Sequence, residues 1–281
     1  MKIIRSLAAA MAAAICLCTV FVGVALAQEQ VGFPASDPFT ARQITLTGVL
    51  NKPLGNGPFP AVVLMHGCGG WQPAVRYSLD LLSEYLSEHG YVVLSVDSFG
   101  PRNLSGDDMC ASNARLRQAL IYRAHDAFDA MKFLRSQPFV EPKDIFLMGQ
   151  SNGGSVAMEA AAADDLKTFD APGTFRGVVA YYPWCGVFPE QREVALASPL
   201  LIFNGGADNW VSASQCTKIQ ASGANVSEIT YPDAVHSFDI DIPKQLYQGH
   251  WVGYDPQAAQ DSETRMLAFF NAKLTPDIRQ D

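Results

Sequence analysis

The sequence predicts an α/β fold, a doubly wound, mostly parallel sheet flanked by helices. Three observations carry this. Short β-branched runs alternate with longer helical patterns across residues 40–274. Several runs are apolar throughout, as in Ala61-Val62-Val63-Leu64-Met65 and Tyr91-Val92-Val93-Leu94, the pattern of strands buried on both faces. Residues suited to chemistry fall just beyond the ends of those runs, where sites in open α/β sheets gather.

Strands are expected at residues 44–50, 60–65, 91–96, 144–148, 177–182, 200–204 and 226–231. Between them, residues 77–89 repeat Leu79, Leu82 and Leu86 at helical spacing, with Leu81 and Tyr85 widening the apolar face. Residues 119–136 do the same with Ala124, Phe128, Met131 and Leu134, and residues 152–163 form an Ala-rich helix. A last helix, 256–274, aligns Met266, Phe269 and Phe270. No repeat, Pro-rich linker or low-complexity tract divides this stretch, so it reads as one domain.

Composition narrows the function. Of 281 residues, 48% are hydrophobic and 17% charged, too apolar and too weakly charged for a disordered chain. Twenty basic residues against 28 acidic ones give a net charge of −8, with no Lys/Arg cluster. A nucleic-acid partner needs a phosphate-neutralising patch and is excluded; an anionic lipid surface is equally unsuited.

Lys2 and Arg5 precede a charge-free apolar stretch, and Ala25-Leu26-Ala27 then fits a small-x-small cleavage site. Residues 1–27 are expected to be a signal peptide and 28–281 a single exported domain, periplasmic or secreted, without stable membrane association after cleavage. The competing reading is an uncleaved anchor, because the stretch is just long enough to span a bilayer. Cleavage leaves 254 residues (281 less 27) and a net charge of −10, since Lys2 and Arg5 are lost. Four cysteines remain, Cys68, Cys110, Cys185 and Cys216, with three possible pairings in an oxidising compartment. No two lie two to four residues apart, so zinc is a poor alternative and no metal or cofactor is expected.

Three places carry chemistry. The first is Phe146-Leu147-Met148-Gly149-Gln150-Ser151-Asn152-Gly153-Gly154, a buried strand, a tight turn and a helix. Gly149-x-Ser151-x-Gly153 matches the nucleophile elbow, which sets a Ser at a helix N-terminus where developing negative charge is favoured. A dinucleotide fingerprint, G-x-G-x-x-G, is not present. The second is His66-Gly67-Cys68-Gly69-Gly70, whose glycines let backbone N–H groups turn into a cavity. The N–H groups of Cys68 and Asn152 are the expected oxyanion hole; His66 reads as structural. The third is a strand-end pair. Asp208 follows one strand in Asn204-Gly205-Gly206-Ala207-Asp208, and His236 follows the next in Pro232-Asp233-Ala234-Val235-His236. The order Ser151…Asp208…His236 suits a nucleophile, an orienting acid and a base, with Asp233 and Asp239 as rival acids.

Together with Val96-Asp97-Ser98-Phe99-Gly100-Pro101-Arg102 and His236-Ser237-Phe238, these residues resemble the dienelactone hydrolase family of α/β-hydrolases, particularly its exported members. The resemblance runs from about residue 41 to 274 and implies the α/β-hydrolase fold, with Ser151 as nucleophile, His236 as base and Asp208 as its orienter. The namesake has a Cys nucleophile, and a Glu where this chain has the glycine run around Cys68. Arg102 matches one of its substrate-binding arginines. Where the other would lie, the chain reads Phe238-Asp239-Ile240-Asp241, carboxylates that disfavour an anionic lactone. The expected activity is therefore hydrolysis of small carboxylic esters by a monomer through an acyl-enzyme, lactones being a special case. The alternatives are a serine peptidase of the same fold and a non-catalytic binding protein. A peptidase of this fold often carries a large extra domain, and a binding protein usually lacks one of the three residues.

Sixteen residues between the strands near Tyr182 and Pro199 leave no room for a large cap, so an open pocket is expected. Trp71, Trp184 and Trp210 each follow a strand-end motif and are candidate pocket walls, as is Arg102. Residues 237–255 form a long loop with Tyr247, His250, Trp251 and Tyr254. For the disulfides, Cys185–Cys216 joins loops after neighbouring strands, and Cys68–Cys110 ties the oxyanion loop to the loop holding Arg102.

Overall fold

The computed structural model describes residues 27–40, 42–188 and 193–276; the expected signal segment, but for Ala27, lies outside the described residues. The chain runs through β1 (Ala27–Ala35), β2 (Ile44–Lys52), β3 (Phe59–Met65), α1 (Pro73–Glu88), β4 (Val92–Asp97), α2 (Gly106–Cys110) and α3 (Asn113–Arg135). There follow β5 (Val140–Gln150), α4 (Asn152–Ala161), β6 (Val178–Tyr181), β7 (Val194–Leu196), β8 (Leu200–Gly205) and α5 (Ala213–Cys216). The last elements are β9 (Ala221–Gly223), β10 (Val226–Tyr231), β11 (Gln245–Tyr247), β12 (His250–Val252) and α6 (Pro256–Asn271).

Eight strands form the main sheet in the order β1-β2-β4-β3-β5-β6-β8-β10. β1 and β2 pair antiparallel, as do β2 and β4, and every later pairing is parallel. All seven expected strands are present in this sheet. Their continuous apolar character has a direct cause. Ala61, Val63 and Met65 face the core formed with Leu120, Phe128 and Met131 of α3 and Val156 of α4. Val62 and Leu64, one position out of phase, face Leu79, Leu82 and Leu86 of α1 and Met266 and Phe270 of α6. Two covered faces leave no position for a polar residue.

Small residues let α4 lie close to the sheet. A Cβ on Gly149 would come 2.0 Å from the Gly153 carbonyl oxygen, and one on Gly153 would come 2.2 Å from that of Met65. These contacts fold the end of β5 against the start of α4 and hold Ser151 at the sharp turn between them. The long loop 237–255 contains a short hairpin, β11–β12, that the sequence pattern does not announce. Among the described residues, no helix is long and apolar enough to cross a membrane.

Two disulfides are present, Cys68–Cys110 and Cys185–Cys216, the expected pairing. The first fastens the loop after β3 to the end of α2; the second joins the turn after β6 to α5.

Candidate active site

The loops after β3, β5, β6, β8 and β10 converge at the carboxyl end of the parallel strands, the usual location for chemistry in an open sheet. Ser151 sits between β5 and α4 with φ 52° and ψ −117°, a conformation that is strained for a non-glycine residue. The turn is secured on both sides: the Ser151 N–H donates to the Tyr181 carbonyl at 2.9 Å, and the Ser151 carbonyl accepts from the Ser155 N–H at 3.0 Å.

Ser151 Oγ lies 2.9 Å from His236 Nε2, and His236 Nδ1 lies 2.6 Å from Asp208 Oδ2. The His236 and Asp208 side chains are 2% and 1% exposed, so water does not compete for this bond. The other Asp208 oxygen accepts the N–H groups of Trp210 at 2.7 Å and Val211 at 3.1 Å. Those two bonds fix the carboxylate plane and present Oδ2 to the imidazole. The rival acids lie elsewhere. Asp233 is exposed, while the Asp239 carboxylate accepts from Tyr182 Oη–H and from Gln150 Nε2–H. Burial pushes the Asp239 carboxyl above its ordinary range, partly opposed by those hydrogen bonds.

Cys68 and Asn152 flank Ser151. Among the described residues, neither backbone N–H has a protein acceptor, consistent with Asn152 opening α4 and Cys68 lying in the turn after β3. The position of both loops depends on a residue that no sequence motif marks. Arg123, on α3, is fully buried; it donates through Nη1 to Asn152 Oδ1 at 2.6 Å and through Nη2 to the His66 carbonyl at 2.5 Å. Burial brings its guanidinium down to about 10, still charged at neutral pH. His66 is buried as well, and desolvation together with the Arg123 charge holds its imidazole well below the usual range. As the neutral Nδ1–H tautomer it donates to the Gly67 carbonyl at 2.7 Å and accepts the Ser98 N–H at Nε2, 3.2 Å away. It is a structural ring.

Two hollows open on Ser151, each of about 210 Å³, and they meet at its side chain. Trp184 and Trp210 line the first and Trp210 also the second. Trp71 lines neither: it packs on the α1 side of the core, with the Arg76 guanidinium 4.4 Å over its ring. Arg102 is likewise not brought to Ser151. Its guanidinium is 2.8 Å from both Asp37 and Asp126, donates to the Ser98 carbonyl at 2.8 Å, and lies over the Tyr122 ring. With its donors so engaged, it holds the loop after β4 in place, and the substrate-binding expectation for Arg102 and Trp71 is withdrawn. Tyr182 and Gln150, neither of them anticipated, line the second hollow beside His236.

Known proteins agree with this architecture. Residues 46–274 match the family model described as the dienelactone hydrolase family. A putative dienelactone hydrolase from Klebsiella pneumoniae superposes with a TM-score of 0.62 at 15% identity, over 87% of this chain and 98% of that one. Esterase 2 of Thermogutta terrifontis, in a form phosphoramylated by tabun, superposes with a TM-score of 0.59 at 19% identity, over 87% and 94%. A probable dipeptidyl-aminopeptidase B from Ajellomyces dermatitidis is 26% identical over 223 residues, 69% of this chain but only 24% of that protein. The chain thus spans about a quarter of that relative's length. From its family match, its sheet order and its strand-end loops, the chain belongs to the dienelactone hydrolase family, a family of α/β-fold hydrolases.

Proposed function

We propose that this chain is a serine esterase that cleaves small carboxylic esters through an acyl-enzyme. The observation that carries the reading is the continuous hydrogen-bonded chain from Ser151 Oγ through His236 to Asp208. His236 Nε2 takes the Ser151 proton as Oγ attacks the ester carbonyl, and Asp208 keeps the proton of the ring on Nδ1. The oxyanion forms against the N–H groups of Cys68 and Asn152, each worth about 10²–10³ in rate. The imidazolium then protonates the leaving alkoxide, and a water activated by His236 releases the acid. No metal or cofactor enters these steps. That the Thermogutta esterase is phosphoramylated by tabun supports a nucleophile of this type.

A serine peptidase is the second reading, favoured by the dipeptidyl-aminopeptidase relative. The signal-like first 27 residues and the two disulfides, which persist in oxidising compartments, support the reading that the chain is exported. Paired p-nitrophenyl acetate and aminoacyl p-nitroanilide assays, with Ser151→Ala alongside, test the assignment. Ester turnover that vanishes in the variant supports the esterase. Anilide turnover of comparable efficiency assigns a peptidase instead, and ester turnover retained by the variant overturns both.

A further inference from the structure

We propose that the hollow beside the start of α3 is an acyl subsite for a chain ending in a carboxylate, so that the enzyme prefers esters with an acidic acyl part and an apolar alcohol part. The inference rests on the esterase reading and assigns its two sides. Both hollows share Cys68, Ser151 and Trp210, so they meet at the reacting carbonyl. Only the second is also lined by His236. The leaving oxygen must reach His236 Nε2 to be protonated, so the alcohol lies in that hollow, against Val75, Ile240, Ile242 and Val252. The acyl part is then directed into the first.

The chemistry of the first hollow is different. Asn113 and Arg117 stand four residues apart on α3, hence on one face of that helix, and both line the cavity. Arg117 is its one charged side chain among the described residues, and no described carboxylate lines it. Unlike Arg102, which is locked between Asp37 and Asp126, Arg117 has no acidic partner among the described residues. The hollow runs along the first two turns of the 23-residue α3, from Asn113 to Leu120, the end of the helix at which the aligned backbone dipoles are positive. In a chain of net charge −8, Arg117, an exposed guanidinium on the wall of the hollow that Ser151 also lines, is the group there that recognises an anion. The opposite hollow offers an anion nothing comparable: Tyr247 and Gln72 on its wall both donate to the Asp107 carboxylate.

The test compares p-nitrophenyl esters of valerate with the hydrogen esters of succinate, glutarate and adipate. A butyrate ester of 4-hydroxybenzoate places the anion on the alcohol side. At low salt, the best acidic acyl ester should exceed valerate about tenfold in kcat/KM, through KM, and the advantage should shrink as salt is raised. Arg117→Gln should bring the ratio of acidic to neutral ester close to one, and Arg117→Lys should restore part of it. Calorimetry on Ser151→Ala with monophenyl glutarate against phenyl valerate reads the subsite without turnover; the acidic ester should bind more tightly, and Arg117→Gln in that background should abolish the difference. Equal handling of acidic and neutral acyl chains, an unchanged ratio in Arg117→Gln, or a preference for the benzoate ester overturns the proposal. Turnover of valerate without discrimination removes the subsite and leaves the esterase. Selective binding to Ser151→Ala with no ester turned over by the native protein does the reverse.

Discussion

Replacing Arg123 by methionine should damage turnover far more than stability. Its guanidinium donates to Asn152 Oδ1 and to the His66 carbonyl in a fully buried position. Losing it leaves two acceptors unpaired, at about 1–3 kcal/mol each. Against that, burial has brought the group down to about 10 from its ordinary value, so the folded state bears about 3 kcal/mol for keeping the charge inside. Methionine removes that burden, and the net change should lie between a gain of about 1 kcal/mol and a loss of about 3 kcal/mol, readable by urea unfolding. Activity has no such compensation. The His66 carbonyl and Asn152 Oδ1 are both held by this one cation, and their loops carry the two proposed oxyanion donors. A displacement of about 1 Å there costs on the order of 10²-fold. The loss should fall on kcat with KM little changed, because the affected contacts form only in the transition state. A folded Arg123→Met protein with native kcat refutes the positioning role; a loss above about 5 kcal/mol refutes the compensation.

Three further outcomes follow from the structure. Glu159 is pushed from 4.5 up to about 7, by burial first and by Asp165 second. Its folded form therefore binds the proton more tightly, favouring folding at low pH and losing that contribution as pH rises from about 4.5 through about 7. Glu159→Gln should be more stable than the native protein at pH 8, by up to about 3 kcal/mol, with the gain gone by pH 4; a gain of equal size at both pH values would count against it. The disulfides enclose similar sequence separations, 42 and 31 residues, so Cys110→Ser and Cys216→Ser should each cost about 4 kcal/mol in unfolding measurements. Only Cys110→Ser should also lower kcat in the folded protein, because only Cys68 belongs to the proposed oxyanion hole. Gly153→Ala sets a methyl 2.2 Å from the Met65 carbonyl oxygen and 2.5 Å from that of His66. All the nearest atoms are backbone and cannot swing away as a side chain would, so a stability loss of about 3 kcal/mol is expected by thermal unfolding; a loss under 1 kcal/mol would show that α4 tolerates displacement.

What the sequence made legible follows from periodicity and from local motifs. Buried parallel strands such as 61–65 announce themselves because neither face tolerates polarity, and the elbow at Ser151 is a local steric pattern. β1 was not legible. Its start, Gln28-Glu29-Gln30, is polar and exposed at the sheet edge, and reads as a tail beyond a cleavage site, although its nine residues all pair with β2. The hairpin β11–β12 is too short for any period to register. Arg102 misled because its partners, Asp37 and Asp126, lie 65 and 24 residues away, and no spacing in the chain reveals an ion pair of that kind. Trp71 misled similarly, since its ring is covered from α1 by Arg76. Arg123 and Arg117 sit on one helix, six residues apart; one is fully buried and the other lines a hollow. The one available signal was the small residues Ala119, Ala124 and Ala127 around Arg123, which leave room for a buried guanidinium.

The proposed esterase requires Ser151 to be a nucleophile. Purified protein treated with a fluorophosphonate probe, digested and mapped by mass spectrometry, should carry one adduct, on Ser151. Labelling should run parallel to loss of ester turnover and be absent from Ser151→Ala. Folded protein that turns over ester while Ser151 stays unmodified, or that is labelled equally after Ser151→Ala, would contradict it.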